Sequence, residues 1–450
     1  MNCCGPANRR EFLRAGALGI SGLTLTSLLE ARAASGSPDR DTSVILMYLH
    51  GGPSQLETYD LKPDAPTAYQ SIYRPIKTVV PGMDICELFP LQAEIADKLV
   101  IVRSCHHEMA SHSDGGIQVL TGKAPPVPDP TSQSKSLHPD FGHVASHFRS
   151  SSSSGIPKYI TLPSPPYMTR PTYIGVQHRG LAAGDPANEN YQSPIQITGG
   201  LNGERLSDRK SLLTELDRFR AGVDLQQAVN GTDKFREMAF NVLTSPDTAR
   251  AFDLSEESDD LKDRYGRNTW GQSALLARRL AEAGAGVVTM FMNTPFTGQQ
   301  WTNWDDHIMN AGRPGHFGKF MSLRLPYLDQ CISALVRDIH NRDAADKIML
   351  VVMGEFGRTP RLSENAQGTG RNHWPQAYSV LLAGGGLKTG QVIGATNSKA
   401  EYPTHRPTSP EDILATIYRH LGIPTRHELL DQAGRPVPLL NRGKVISELV

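Results

Sequence analysis

Acidic, basic and imidazole side chains follow a buried strand late in the chain. The unbroken apolar run Ile348–Met353 is typical of a strand buried on both faces of a parallel sheet. Glu355, Arg358 and His373 come after it, with a loop rich in glycine and asparagine before His373. Because side chains just past the carboxyl ends of parallel strands commonly form sites, these residues predict an active or binding site. The alternative is a surface turn with an ordinary ion pair.

A second apolar run ends in a histidine and two glycines. Val44–Leu49 is predicted as a strand, and His50-Gly51-Gly52 follows it. Glycines let the backbone turn sharply and expose N–H groups that could hold an anion. The position of His50 at a strand end leaves both a role in the site and a structural role open.

A histidine-rich segment precedes a predicted helix. Ser113 is the expected N-cap of a helix over residues 114–120, and Gly122 is expected to end that helix. His112 and Ser113 would then face the positive end of the helix dipole, where an anion or a nucleophile is favoured. The alternative is a histidine-rich surface loop without a ligand.

Two aspartates and a histidine follow the predicted strand Val287–Met292. Asp305, Asp306 and His307 are consecutive and cannot all face one way, so we expect one aspartate and His307 to share a site. Carboxylate oxygen with imidazole nitrogen is a common ligand set for zinc, iron or manganese. The alternative is a solvated turn rich in aspartate.

Helices alternate with these strands. Amphipathic helices are predicted over Thr269–Ala283 and Pro326–Asn341, and a last helix, capped by Ser409, ends at Leu421. With a further strand over Tyr378–Leu382, the alternation predicts a doubly wound α/β fold with a mostly parallel sheet.

The mature chain is expected to form one domain over residues 34–450. Within it, residues 123–200 carry many prolines, serines and glycines. They predict a loop-rich insertion over the sheet edge that covers the substrate.

The N-terminus predicts export. Arg9 and Arg10 precede a mildly apolar segment, and Ala31-Arg32-Ala33 offers a cleavage site, so residues 1–33 are interpreted as a twin-arginine signal peptide. Glycines interrupt the apolar segment, which makes it a poor membrane span, and none is expected after cleavage. The predicted location is therefore periplasmic or secreted, with the twin-arginine translocase as a partner.

Composition excludes some functions. Lys+Arg and Asp+Glu both count 46, so no basic field for nucleic acid is present. Cys86, Cys105 and Cys331 are too few and too widely spaced for a disulfide framework or a zinc knuckle, although one bridge stays open.

The order of these pieces resembles the alkaline phosphatase and sulfatase superfamily, which has a parallel sheet, a nucleophile at a helix N-terminus and metal-binding aspartates and histidines. With the superfamily's spacing from Thr121-Gly122, the nucleophile position falls on His112. Glu355 matches an acidic ligand, Phe356 stands where a histidine ligand would be, and His373 matches the final histidine. The resemblance implies an alkaline-phosphatase-like three-layer sandwich.

More closely, the sequence resembles a bacterial, twin-arginine-exported family of unknown function, number 1501. The resemblance spans nearly the whole mature chain and depends on four motifs: HGGPSQLETYDLKP from His50, Trp304–His307, GEFGRTP from Gly354, and Asn372–Trp374.

Residues and resemblance together imply a metal-dependent hydrolase of phosphate or sulfate esters, either small molecules or polysaccharides. One or two divalent metals (zinc, calcium, manganese or iron) would be held by histidines and carboxylates, namely His50, Asp305, His307, Glu355 and His373. Arg358 would clamp the anion, and the attacking group is His112, Ser113 or a metal-bound water.

Two other functions stay open from the sequence. The same scaffold could serve as a non-catalytic protein that binds a ligand or a metal. It could also be the partner subunit of another exported protein.

Overall fold

A central sheet of eight strands organises the molecule. The computed structural model describes residues 41–149, 155–195, 245–296, 303–310, 313–314 and 317–450. The strands of the sheet are β1 Ser43–Tyr48, β2 Leu99–Cys105, β3 Tyr159–Leu162, β4 Leu181–Ala182, β5 Val287–Phe291, β6 Ile348–Met353, β7 Tyr378–Gly384 and β8 Gln391–Ile393. Their order is β8-β2-β7-β6-β1-β5-β3-β4, and only β7 runs antiparallel to its neighbours.

Helices cover both faces of this sheet. The α-helices of the described ranges are α1 Pro90–Ala93, α2 His112–Thr121, α3 Phe141–Phe148, α4 Pro246–Phe252, α5 Asp259–Tyr265, α6 Thr269–Glu282, α7 Phe317–Asn341 and α8 Pro410–Leu421. Alternate residues of β1 belong to two separate cores: Ile45 and Met47 pack with α6 and α7, whereas Val44 and Leu46 pack with α2, α3 and α8. The predicted three-layer α/β sandwich with a mostly parallel sheet is therefore confirmed.

The four strands predicted from apolar runs all lie in this sheet. β1 and β6 occupy its centre with every residue buried, as the continuous apolar runs require. Helix α7 differs from its prediction, because it begins at Phe317 and carries Pro326 inside it. The last helix has the predicted cap at Ser409, whose side chain accepts a hydrogen bond from the Asp412 N–H.

The segment expected to be a loop-rich insertion contributes regular structure as well. Helix α3 and the strands β3 and β4 lie within residues 123–200, and β3 pairs with β5 of the central sheet. This part of the chain therefore forms the edge of the central sheet. The extent of the domain, residues 34–450, stays a prediction, and the proposed signal peptide lies outside the described residues.

Short antiparallel strand pairs lie outside the central sheet. The pair Gly357–Arg358 and His373–Trp374 brings two predicted site segments side by side. Other pairs are Pro75–Ile76 with Ile85–Cys86, Ser363–Asn365 with Gly368–Gly370, Met309–Asn310 with Arg313–Pro314, Ala395–Thr396 with Pro403–His405, and Glu428–Leu430 with Pro436–Pro438.

Two further observations bear on the sequence predictions. The cysteines Cys86, Cys105 and Cys331 are all buried and free, so none of them forms the disulfide that was left open. Of the helices in the described ranges, not one combines the length and the apolar character that crossing a membrane requires.

Candidate metal centre

Histidines and carboxylates from distant parts of the chain converge beyond the carboxyl ends of β1 and β6. Ligand atoms that lie within 4.8 Å of one another form two overlapping groups: His112, Asp305, His307 and His373; and His50, His112 and Glu355. These are the five predicted metal ligands together with His112. Of the predicted pair of aspartates, Asp305 is the one that joins the cluster.

The loop that carries Asp305 is fixed by a buried tryptophan. Trp304 is fully buried, its ring stacks on Trp270 with centroids 5.6 Å apart, and its indole N–H donates to the Met292 carbonyl at 3.0 Å. Its backbone N–H donates to the His50 carbonyl at 3.0 Å, which ties the loop to the end of β1. Asp305 is thereby held beside the histidines.

Three atoms form a small triangle at the centre of the first group. His307 Nε2 lies 2.8 Å from Asp305 Oδ1, His373 Nε2 lies 3.1 Å from the same oxygen, and the two nitrogens are 2.9 Å apart. Atoms bound tetrahedrally at about 2.0–2.1 Å from zinc lie roughly 3.3 Å from one another. The triangle is therefore close to the arrangement that a bound metal would require.

The hydrogen bonds on the far side of both rings orient their lone pairs inward. His373 Nδ1 lies 2.6 Å from the Ala110 carbonyl, which can only accept, so Nδ1 carries the proton. His307 Nδ1 lies 2.9 Å from Asn372 Oδ1, which accepts in the same way. In the neutral rings, both Nε2 atoms therefore present lone pairs to each other and to a carboxylate. One proton can bridge only two of these three acceptors, whereas a metal cation binds all three.

His112 links the two groups. It is the first residue of α2, and its Nδ1 lies 2.6 Å from Glu355 Oε1 while its Nε2 lies 3.2 Å from Asp305 Oδ2. Burial alone would lower the pKa of His112, but the hydrogen bonds with Asp305 and Glu355 outweigh it and raise the pKa to about 9. These contacts hold the ring between two carboxylates.

The second group contains buried polar atoms that lack partners. Its Glu355 Oε1 accepts from the Gly51 N–H at 2.8 Å, and His50 Nδ1 lies 3.0 Å from Asn293 Oδ1. Within the described part of the chain, His50 Nε2 is buried without a hydrogen-bond partner, and Glu355 Oε2 has no partner besides the nearby Tyr48 hydroxyl. Because buried polar atoms are rarely left unpaired, this group fits a ligand or cation beside His112.

Electrostatics differ between the members of the second group. Burial opposes ionisation of Glu355, but the hydrogen bond from His112 prevails and lowers the pKa of the carboxyl to about 2. Burial lowers the pKa of His50, which favours the neutral, ligating ring.

Both positions after His50 require glycine, because other parts of the chain approach them closely. Gly51 has a φ of +114°, and a Cβ there would lie 2.3 Å from the Asp305 nitrogen. Gly52 has a φ of +82°, and its Cβ would lie 2.6 Å from the Phe356 ring and carbonyl. Side chains at these positions would therefore separate the loops that carry the ligands.

Arg358 connects the loops of the site through hydrogen bonds from its buried guanidinium. Its guanidinium is fully buried, and its N–H groups donate to four backbone carbonyls and one carboxylate, those of Gly51, Gly52, Trp304, Arg371 and Asp305. The bond to Asp305 Oδ1 is 2.7 Å long. With its donors engaged in this way, Arg358 positions Asp305 and the glycine turn, and this differs from the predicted role of an anion clamp.

Two predicted residues occupy other surroundings. Ser111, not Ser113, caps α2 by accepting from the Asp114 N–H at 3.3 Å, because the helix begins at His112. Ser113 is fully buried in the first turn, with its hydroxyl 3.4 Å from Asp114 Oδ1. Asp306 points away from the cluster and pairs with the buried Arg324.

Sequence reasoning missed the residues that orient the histidine rings. Asn293 and Asn372 accept from Nδ1 atoms, and the Ala110 carbonyl does the same for His373. The sequence contained an indication of this role, since Asn372 immediately precedes His373 and Asn293 follows β5. Metal-ligating rings usually donate to a carboxylate, a backbone carbonyl or water, and the amide oxygens here accept in the same way.

Fold and site together define an α/β sandwich with a candidate metal centre at the carboxyl edge of its sheet. The chain belongs to the family described as "Protein of unknown function (DUF1501)", whose family model matches residues 41–450. A comparison with curated proteins gives no match.

The similar solved structures are members of the alkaline phosphatase and sulfatase superfamily, at low identity. A lipoteichoic acid synthase from Listeria monocytogenes is 8% identical with a TM-score of 0.37, over 90% of this chain and 76% of that one. A sulfatase from Pseudoalteromonas sp. is 12% identical with a TM-score of 0.37, over 93% and 72%. An alkaline phosphatase from the Antarctic bacterium TAB5 is 11% identical with a TM-score of 0.32, over 85% and 98%.

Proposed function

We propose that this protein is an exported, metal-dependent hydrolase of phosphate or sulfate esters. The observation that carries the proposal is the pair of inward-facing Nε2 lone pairs of His307 and His373, 2.9 Å apart beside Asp305 Oδ1. Arg358 donates to Asp305 Oδ1, but its hydrogen bonds among the described residues do not reach the two nitrogens, which still face each other. A metal among the three atoms would remove the repulsion between these lone pairs.

The types of ligand atom restrict which metal ions the site would bind. Asp305, His307 and His373 would hold it, and His50 and Glu355 could hold a second one. Two imidazoles with one carboxylate suit zinc, manganese or iron better than calcium, which prefers oxygen ligands. Once bound, such a metal polarises a phosphoryl or sulfuryl oxygen and stabilises the leaving oxygen.

The chain's own groups favour an anionic substrate. The N-terminus of α2 lies at the cluster, and its dipole attracts negative charge. Neither predicted side-chain nucleophile is presented for attack: both nitrogens of His112 face carboxylates, and Ser113 is buried in the first helical turn. Water is therefore the attacking group that we propose.

A non-catalytic metal-binding protein is the second candidate. It is favoured by Arg358, whose guanidinium donates to protein oxygens and is fully buried, and by the locked position of His112. The partner-subunit hypothesis stays a prediction.

Metal content and turnover together test the proposal. The purified mature protein should contain close to one or two equivalents of a transition metal by elemental analysis, and it should hydrolyse nitrophenyl phosphate or nitrophenyl sulfate. Asp305→Asn should lose metal and turnover, whereas the exposed control Asp64→Asn should keep both. Metal without turnover on either ester class would favour the second candidate, and a metal-free protein that no added metal stabilises would contradict both.

Export is proposed on the sequence alone. Changing Arg9 and Arg10 together to Lys should retain the precursor in the cytoplasm, because an ammonium does not reproduce the planar guanidinium. Normal extracytoplasmic accumulation of this variant would contradict the twin-arginine interpretation.

A further inference from the structure

We propose that a cavity beside the metal centre binds a small organic anion with an apolar body. The cavity has a volume of about 690 Å³, and its walls are mostly apolar, with Pro157, Pro165, Pro166, Tyr167, Leu181 and Ile195 among them. Cavities of roughly 300–1,000 Å³ with apolar walls and few polar groups are typical of small-molecule sites. Proline and tyrosine side chains lose little conformational entropy on binding, which suits a preformed pocket.

A buried histidine supplies a polar group in this wall. His143 lies in α3 and is only 4% exposed, and its Nδ1 lies 2.9 Å from Asp140 Oδ1. Asp140 caps α3, accepting from the His143 backbone N–H at 2.9 Å, and the Tyr159 hydroxyl donates to its other oxygen at 3.3 Å. The Asp140 carboxylate therefore lies beside the ring, although Nδ1 has no well-aligned hydrogen bond among the described residues.

The charge at the surface of the cavity selects an anion. Arg170 and Arg179 line the cavity and are exposed. Arg170 Nε donates to the Ser136 carbonyl at 2.7 Å, and neither guanidinium forms an ion pair with any of the described residues. Two unpaired guanidinium groups beside apolar walls complement a sulfonate, sulfate or carboxylate attached to a ring or chain.

The cavity is next to the metal centre but separate from it. Tyr167 forms part of the wall, and its ring meets the His50 ring edge-on with centroids 5.6 Å apart. None of the proposed metal ligands lines the cavity. Because the two sites share no proposed ligand, each proposal can be tested, and can fail, without the other.

Two fluorescent probes that differ by one charge test the proposal. Anilinonaphthalene sulfonate has an apolar body with a sulfonate, and phenylnaphthylamine is its uncharged counterpart. The folded mature protein should bind the sulfonate at least roughly tenfold more tightly than the uncharged probe. The double variant Arg170→Gln with Arg179→Gln should remove most of this preference and leave the affinity for the uncharged probe unchanged, whereas the exposed control Arg426→Gln should change neither.

A second variant locates the binding. Ala182→Trp would place an indole in the cavity from the edge strand β4 and should weaken both probes, whereas Ala249→Trp, at an exposed position of α4, should not. Thermal melts of all variants verify that they are folded. The proposal is overturned if neither probe binds, if the sulfonate has no advantage, or if Arg426→Gln and Ala249→Trp have the same effects as the cavity variants.

Discussion

Arg358 offers the sharpest test of how the centre is built. Arg358→Met keeps an unbranched stem of similar shape but removes the guanidinium and every N–H donor. The Gly51 and Gly52 carbonyls would then lack a hydrogen-bond donor within the described structure, and Asp305 would lose its guanidinium partner. Each unsatisfied buried carbonyl costs about 1–3 kcal/mol. Breaking a buried ion pair costs about 3–5 kcal/mol.

Because these costs overlap when the loops relax, we expect the free energy of unfolding of Arg358→Met to fall by at least about 3–5 kcal/mol, out of the 5–15 kcal/mol that is typical of a domain. Arg358→Lys should fall between this variant and the native protein, because an ammonium can pair with Asp305 but cannot reach all of the carbonyls. Urea unfolding followed by tryptophan fluorescence measures the loss, since Trp304 and Trp270 are buried beside this site.

The control is Arg361→Met, an exposed position three residues away, which should stay within about 0.5 kcal/mol of the native protein. The opposite outcome would be a stable Arg358→Met variant whose affinity for phosphate or sulfate is lost. That result would refute the positioning role and restore the anion clamp predicted from the sequence.

Three further predictions concern metal binding and pH. His373→Ala should lose most of the rise in melting temperature on adding zinc or manganese, whereas His405→Ala, exposed on a short strand, should keep it. Asn372→Ala should weaken metal affinity about 10–100-fold in a competition titration without unfolding the protein, because His307 loses the acceptor that orients its ring. Burial raises the pKa of Asp329 to about 6, so its contribution to stability is complete below about pH 4 and is lost as the pH rises to 6. In urea unfolding between pH 4 and 7, Asp329→Asn should reduce the pH dependence of the free energy of unfolding by at most about 3 kcal/mol. An unchanged pH dependence would contradict the raised pKa of Asp329.

The strand ends were predictable because they depend on local signals. Apolar runs such as Ile348–Met353 are buried on both faces, and parallel strands place their carboxyl ends at one edge, so His50 and Glu355 were expected to meet. The consecutive aspartates alone left Asp305 and Asp306 as alternatives, and the ligand set implied by the residues and the resemblance together included Asp305. The choice depends on Trp304, whose burial fixes the loop.

Features that depend on tertiary packing were not predictable. Pro326 resembles the first residue of a helix, yet α7 begins at Phe317. The buried side chains of Phe317, Met321 and Leu325 anchor about two and a half earlier turns against the core. The role of Arg358 was not predictable for the same reason, because an arginine that binds a ligand and one that binds buried carbonyls can have the same local sequence. Only its complete burial distinguishes them.

The convergence of the centre also has a consequence for folding. Its proposed ligands lie at positions 50, 305, 307, 355 and 373, and they come together through pairings between β1, β5 and β6 that span most of the chain. Contacts of such high sequence separation close large loops and form slowly. A partly folded chain therefore has no complete ligand set, and capture of metal would report that the whole sheet has been assembled.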